Sequence, residues 1–163
     1  VRYAIIDSPI GSLLLAKDER GVREIRFRKS FDFEIPIDWT RSDRVLTDVR
    51  KQLDEYFAGH RRTFELTLAP AGTDFQKSVW SALESVPFGT TVSYLEIAVR
   101  LGKPGSVRAV GAANGANPIP IVIPCHRVIG TDGSLTGYGG GIENKRWLLD
   151  HEGANPRGQM GLF

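Results

Sequence analysis

Apolar residues in the first third of the chain come in short runs broken by turn residues, a pattern of strands rather than helices. Tyr3-Ala-Ile-Ile-Asp7, Ser12-Leu-Leu-Leu-Ala16 and Val22-Arg-Glu-Ile-Arg-Phe27 are such runs. Pro9-Ile-Gly11 and Asp18-Glu-Arg-Gly21 separate them, the second being a hairpin signal. Phe31 to Thr40, with Pro36, predicts an irregular loop. Val45, Leu46, Val49, Leu53, Tyr56 and Phe57 then fall at helical spacing, and Gly59 supplies a C-terminal stop. Phe64-Glu-Leu-Thr-Leu68 alternates and predicts a further strand. Ala69-Pro-Ala-Gly72 breaks the pattern and sets a boundary, giving a β-rich domain over 1–70, a linker at 71–72 and a second domain over 73–163.

The second domain reads as mainly helical. Thr73-Asp74 offers an N-cap, and Phe75, Val79, Leu83 and Val86 line one helical face before Pro87. Thr90 to Val92 is a short extended piece. Ser93 and Glu96 form a capping box for a helix through about Leu101. Gly102-Lys-Pro-Gly105 turns the chain, and Ser106 is placed to cap a helix carrying Val107, Val110 and Ala113. Two short helices across a glycine-containing turn outline a helix-turn-helix. The second helix, Arg108-Ala-Val-Gly-Ala-Ala-Asn-Gly115, has one arginine, one amide and otherwise small side chains. That surface suits close helix packing or deep entry into a groove with Arg108 protruding.

Composition narrows the class. With 163 residues, 41% hydrophobic and 25% charged, the chain is in the globular range, which excludes intrinsic disorder and collagen-like folds. No apolar run is long enough for a membrane helix, and the opening VRYAIIDSPIG lacks a basic-then-apolar signal pattern, so an intracellular, cytoplasmic protein is expected. One cysteine, Cys125, excludes an intrachain disulfide and a Cys-rich zinc site; His60, His126 and His151 are too scattered to suggest a metal cluster. The net charge of +2 is uninformative, but its distribution is not. Residues 1–87 balance acids against bases, whereas Ile97 to Thr131 holds no acid and carries Arg100, Lys103, Arg108 and Arg127. An acid-free basic stretch is a landing surface for a polyanion.

Chemistry concentrates at Ile119-Pro-Ile-Val-Ile-Pro-Cys-His-Arg-Val-Ile-Gly130, where Pro124 fixes the backbone just before Cys125. Neighbours along an extended chain project to opposite sides, so His126 reaches the Cys125 thiol only through a bridging water or a backbone bend. Ile123-Pro-Cys-His-Arg-Val128, preceded by Asn117-Pro118 and Arg108-Ala-Val-Gly111, resembles the O6-alkylguanine-DNA alkyltransferase family. The likeness continues through Gly137-Tyr-Gly-Gly-Gly141, Lys145, Trp147-Leu-Leu149 and His151-Glu-Gly153. Its strong part covers about Phe75 to Gly153; Asp7-Ser-Pro-Ile-Gly11 and Tyr56-Phe-Ala-Gly59 are similar more loosely.

The resemblance implies an α+β fold. It would have an N-terminal antiparallel β-sheet domain with a helix, ribonuclease-H-like, and a mainly helical winged helix-turn-helix domain carrying the active site. It implies direct-reversal repair, in which one alkyl group passes irreversibly from O6 of guanine in duplex DNA to Cys125. O4-alkylthymine is left open as a substrate, and no cofactor and no metal are expected. Glu152 would orient His126, which would deprotonate Cys125 through a water. Tyr94 would stabilise charge on the departing base and rotate a backbone phosphate. Asn117 would act as a hinge and Lys145 would support the pocket. Arg108 would fill the place of a base flipped from a minor-groove-bound helix, with Ser93, Tyr94, Ala109, Gly111, Ala112, Asn114 and Gly115 beside it on the DNA. Pro120, Val128, Tyr138, Gly139 and Gly140 would line the base pocket; Gly139 stands where some members place a serine. The expected partner is alkylated double-stranded DNA, with no membrane; cooperative self-association along it is left open. The rival reading is a non-catalytic alkylation-damage recognition protein, against which Cys125 itself argues.

Overall fold

The computed structural model describes residues 1–28 and 33–154. These form two compact units, Val1–Ala71 and Gly72–Phe163, the second described as far as Ala154.

In the first unit, β1 (Arg2–Ile6), β2 (Leu13–Asp18) and β3 (Gly21–Phe27) make an antiparallel meander. Leu13, Leu14, Leu15 and Ala16 are all buried, so β2 is covered on both faces, as its unbroken apolar run demands. The β2–β3 turn forms as its residues predict: Asp18 Oδ1 accepts from the Arg20 N–H, and Gly21 has φ +145°. A side chain at Gly21 would also overlap the Thr67 carbonyl, so glycine is required twice over.

Two differences from expectation appear here. The sheet gains an edge strand, β4 (Thr40–Arg41), parallel to β1, which makes the order β3-β2-β1-β4. Both β4 residues are exposed, so no apolar alternation announced them. Conversely, the strand expected over Phe64–Leu68 is reduced to one bridge, Val22 to Leu68. Its backbone is otherwise engaged: Glu65 donates its N–H to Gln52 Oε1 at 2.8 Å and accepts from Gln52 Nε2 at 3.1 Å. Gln52 belongs to α1 (Thr47–Phe57), the expected helix, beginning after Val45 and Leu46. Part of the expected 31–40 loop, Phe31 and Asp32, lies outside the described residues.

In the second unit the order is α2 (Asp74–Glu84), β5 (Val92–Ser93), α3 (Tyr94–Arg100), α4 (Val107–Gly115), a 3-10 turn (Cys125–Arg127), β6 (Val128–Ile129) and α5 (Ile142–His151). β5 and β6 pair in parallel. The expected capping box forms at Ser93 with Glu96 on α3, and the expected N-cap at Thr73 proves to be a capping box too, with Gln76 on α2. Ser106 stands at the N-cap of α4 but its side chain makes no capping bond, and Val107 is exposed rather than packed.

What fixes α4 is α2. Val79, Trp80 and Leu83 form the buried face of α2, and Trp80 Nε1 donates to the Ala113 carbonyl at 2.8 Å. The indole thus combines the packing of a large apolar ring with a directional tie to α4. Trp80→Phe keeps most of the packing and leaves that buried carbonyl short of a donor. It is expected to destabilise the protein by about 1–3 kcal/mol, read from the urea midpoint at constant m.

Candidate active site

α3 and α4 present the sequence-predicted surface residues, but not all to the same side. Arg108, Ala109, Ala112 and Gly115 are exposed on α4. Gly111 is half-buried over Tyr94: a Cβ there would meet the ring at 3.9 Å. Two residues expected on the DNA face are turned inward. Ser93 is buried because its hydroxyl accepts the Glu96 N–H in the capping box. Asn114, 3% exposed, lies on the inner side of α4, with Nδ2 at 3.5 Å from the Cys125 carbonyl.

The chain then reaches the thiol through a tightly determined loop. Asn117 Nδ2 donates to the Ile123 carbonyl at 2.8 Å while Oδ1 accepts the Ile119 N–H at 3.0 Å. The residue is at once an Asx turn and a tie to the segment before Cys125. Within this loop Ile121 has φ +74°, an unfavourable conformation for a β-branched residue, held by complete burial. Nothing in the pattern of side chains signalled it. The Cys125 N–H bonds the Ile123 carbonyl, and Cys125–Arg127 is a 3-10 turn. The extended backbone expected at Cys125-His126 is therefore replaced by a bend, one of the two routes by which the imidazole can serve the thiol.

His126 is fully buried, and its Nε2 lies 2.8 Å from Glu152 Oε2. Glu152 follows the last turn of α5, a position the helix dipole makes unfavourable for an anion. It is compensated by Arg127, whose Nε donates to Oε1 at 2.8 Å and Nη2 to Oε2 at 2.9 Å. Arg127 Nη1 reaches on to the Val86 carbonyl at 2.6 Å, and the Gly89 N–H donates to Oε1 at 3.3 Å. Burial would raise the Glu152 pKa, but the bonds from His126 and Arg127 reverse this and hold it well below the usual carboxylate range. An ionised carboxylate only accepts, so Nε2 carries the imidazole hydrogen and Nδ1 the free lone pair. Nδ1 has no hydrogen-bond partner among the described residues. Burial outweighs Glu152 and lowers the His126 pKa, which keeps the ring neutral.

Cys125 is 5% exposed, and burial pushes its thiol up to about 11, against the opposing influence of Asn117 and the Lys145 charge. Lys145, on α5, is wholly buried and donates Nζ to the Val128 carbonyl at 2.6 Å and the Thr136 carbonyl at 3.0 Å. Burial lowers it to about 8, with Cys125 pulling the other way. Thr136 also has its hydroxyl 2.8 Å from the Tyr94 hydroxyl. Neither Thr136 nor Arg127 was singled out from the sequence as a site residue. The Cys125-His126-Arg127 run was the available signal for Arg127; Thr136 had none.

Pro120 and Val128 are buried, Tyr138 and Gly140 half-buried, and Gly139 exposed. The Gly141 N–H bonds the Tyr138 carbonyl, and Asn144 Nδ2 bonds the Gly140 carbonyl at 2.8 Å, so the glycine run is pinned to the start of α5. A Cβ at Gly139 would meet nothing within 4 Å, so glycine there is not a steric need. Among the described residues no group of three or more His, Cys, Asp or Glu could hold a metal ion, and no helix is long and apolar enough to cross a membrane.

The arrangement is a buried imidazole–carboxylate pair beside a thiol, joined to a two-helix surface on which Arg108 is the exposed arginine of α4. Residues 74–154 match the DNA binding domain of 6-O-methylguanine DNA methyltransferase, and residues 1–70 match the ribonuclease-like domain of the same protein. A methylated-DNA–protein-cysteine methyltransferase of Methanosarcina barkeri is 53% identical over 95% of this chain and 99% of its own. One from Mycobacterium bovis is 46% identical over 100% and 99%. Among solved structures, Mycobacterium tuberculosis OGT in complex with DNA superposes with TM-score 0.88 at 47% identity, covering 100% of this chain and 99% of that one. The O6-methylguanine-DNA methyltransferase of Pyrococcus kodakaraensis gives 0.66 at 28%, covering 93% and 98%. With both domain families matched in order and relatives aligned nearly end to end, the chain belongs to the 6-O-methylguanine DNA methyltransferase family.

Proposed function

We propose that this chain repairs alkylated duplex DNA by moving the alkyl group from O6 of guanine onto Cys125. The observation that carries the assignment to Cys125 is the His126–Glu152 bond, which gives the adjacent imidazole a fixed tautomer with Nδ1 free. In the transfer, the sulfur–carbon bond forms as the carbon–O6 bond breaks, and the bonding pair passes to the guanine ring. The thiol proton goes by way of a water to His126 Nδ1. The guanine anion ends by taking up one proton at N1, so the net change moves one proton and one alkyl group in opposite directions. Tyr94, with its hydroxyl held by Thr136, is the group placed to donate toward the departing base. Lys145 supplies the positive charge that Cys125 thiolate requires.

The alkylated base is stacked inside the duplex and must be turned out to reach a buried sulfur. Arg108 is the only charged side chain on the outer face of α4, among Ala109, Ala112 and Gly115. A helix with so low a surface can approach the groove floor, where Arg108 occupies the vacated stack. A thioether is a poor leaving group and the chain has one cysteine, so each molecule acts once.

Incubation with a duplex carrying O6-methylguanine is expected to add one methyl group to the intact protein, mapped by peptide mass spectrometry to Cys125. Cys125→Ser is expected to stay unlabelled, and labelling of the variant at the wild-type rate would overturn the assignment. Arg108→Ala is expected to slow transfer from duplex DNA roughly 10-fold or more, one tenfold step being about 1.4 kcal/mol of barrier, while transfer from the free alkylated base is little changed; single-turnover rates on both substrates check this.

The base assignment has a pH signature. Protonated His126 cannot accept the thiol proton, and its pKa lies below the ordinary imidazole value, so the transfer rate should persist through that range and fall only at lower pH. Glu152→Gln removes the interaction that raises His126. The inflection should therefore move further down, with the neutral-pH rate lower by roughly 100-fold or more, measured on the folded, DNA-binding fraction.

A further inference from the structure

Tyr94 and Thr136 are 42 residues apart in the chain, and their hydroxyls meet at 2.8 Å. Both side chains are half-buried. Tyr94 is the first residue of α3, where the Ser93–Glu96 capping box sets its backbone. Its ring lies over Gly111 of α4, where even a Cβ would stand 3.9 Å away. Thr136 stands in the segment between β6 and α5, and its carbonyl accepts from Lys145 Nζ at 3.0 Å. The same nitrogen donates to the Val128 carbonyl at 2.6 Å, beside the turn that carries Cys125. The two ends of the hydroxyl contact are thus anchored through different elements of the second unit.

A contact between two hydroxyls uses one hydrogen, and either oxygen can supply it. A phenol is the stronger donor of the two, so at rest Tyr94 donates to Thr136 Oγ1. Its hydrogen is then occupied. A Tyr94 that donates to a departing base needs that hydrogen free, so the contact has to invert. The Thr136 hydroxyl turns about one single bond and donates to the Tyr94 oxygen; no heavy atom has to move. A phenol that accepts one hydrogen bond while donating another is the stronger donor, because bonds in a chain polarise one another. The gain grows with the charge on the leaving base, so it acts on the rate of transfer and not on the binding of DNA.

We infer that Thr136 is a positioning residue for alkyl transfer, accepting from Tyr94 in the free protein and donating to it once the phenolic hydrogen bonds the departing base. The inference rests on the reading of Cys125 as alkyl acceptor and of Tyr94 as donor. No covalent bond changes at Thr136. Valine has nearly the same shape and can take neither part, whereas serine can take both.

The test is single-turnover methyl transfer from an O6-methylguanine duplex to the intact protein, with duplex affinity measured separately. At saturating duplex, Thr136→Val is expected to transfer roughly tenfold more slowly, the equivalent of one net hydrogen bond, with affinity unchanged. Thr136→Ser is expected to keep most of the wild-type rate. In a Tyr94→Phe background, Thr136→Val is expected to cause no further loss, since no phenol remains to be served. If valine slows transfer by the same factor with and without the Tyr94 hydroxyl, or if serine is as slow as valine, Thr136 acts through packing and the inference falls. A wild-type rate in Thr136→Val overturns it as well. Should Thr136→Val not fold, Thr136→Ala takes its place in the same cycle. A wild-type rate in Tyr94→Phe alone would instead bring down the reading of Tyr94, and absence of methyl transfer to wild-type Cys125 would bring down that of Cys125.

Discussion

The second unit is organised around a carboxylate that ought not to be where it is. Glu152 is buried at the C-terminal end of α5, where desolvation and the helix dipole both oppose its charge. It stays ionised because Arg127 grips it with two N–H groups and His126 with a third. Both of those residues lie in the 3-10 turn that begins at Cys125. The ion pair therefore pins the turn carrying the nucleophile to the end of α5, and the Arg127 bond to Val86 extends the same hold to the segment after α2. Removing either charge would leave the other buried without a partner, so structure and chemistry fail together at this point.

That clamp also sets the resting state of the site. An ionised Glu152 fixes the hydrogen on His126 Nε2, and burial keeps the ring neutral. The Cys125 thiol, pushed up to about 11, does not ionise by itself at neutral pH. The thiolate ion pair found in many cysteine nucleophiles is thus disfavoured until a substrate is present. For a residue that reacts once and has no second thiol to regenerate it, this is the useful arrangement. A standing thiolate would be consumed by oxidants and stray alkylating agents, whereas a buried neutral thiol beside a neutral base reacts only when the departing base can take up charge.

How far the sequence revealed this depends on the kind of signal each residue gives. The hairpin at Asp18–Gly21, the N-cap at Thr73 and the box at Ser93 were legible because side chain and backbone requirements coincide within four residues. The pairing of His126 with Glu152 was legible only through family resemblance, since 26 positions separate them. β4 and the loss of the strand over 64–68 were not legible, because each depends on a remote partner: the backbone carbonyls of Val1 and Tyr3 for one, the side-chain amide of Gln52 for the other. Ser93 and Asn114 were assigned to the DNA face by their place beside Tyr94 and Arg108. Their burial follows from a capping bond and from helix phase, which a motif read as a string does not express.

Helix phase carries the last step. Arg108 and Asn114 are six residues apart on α4, and at about 100° per residue they project to well-separated sides of a helix only nine residues long. Arg108 is exposed, while Asn114 touches the carbonyl of the nucleophile. Between them Gly111, Ala112 and Ala113 keep the helix thin, and the Ala113 carbonyl is held by Trp80. One short helix therefore turns an exposed arginine to solvent on one side and a buried amide toward the turn that carries Cys125 on another.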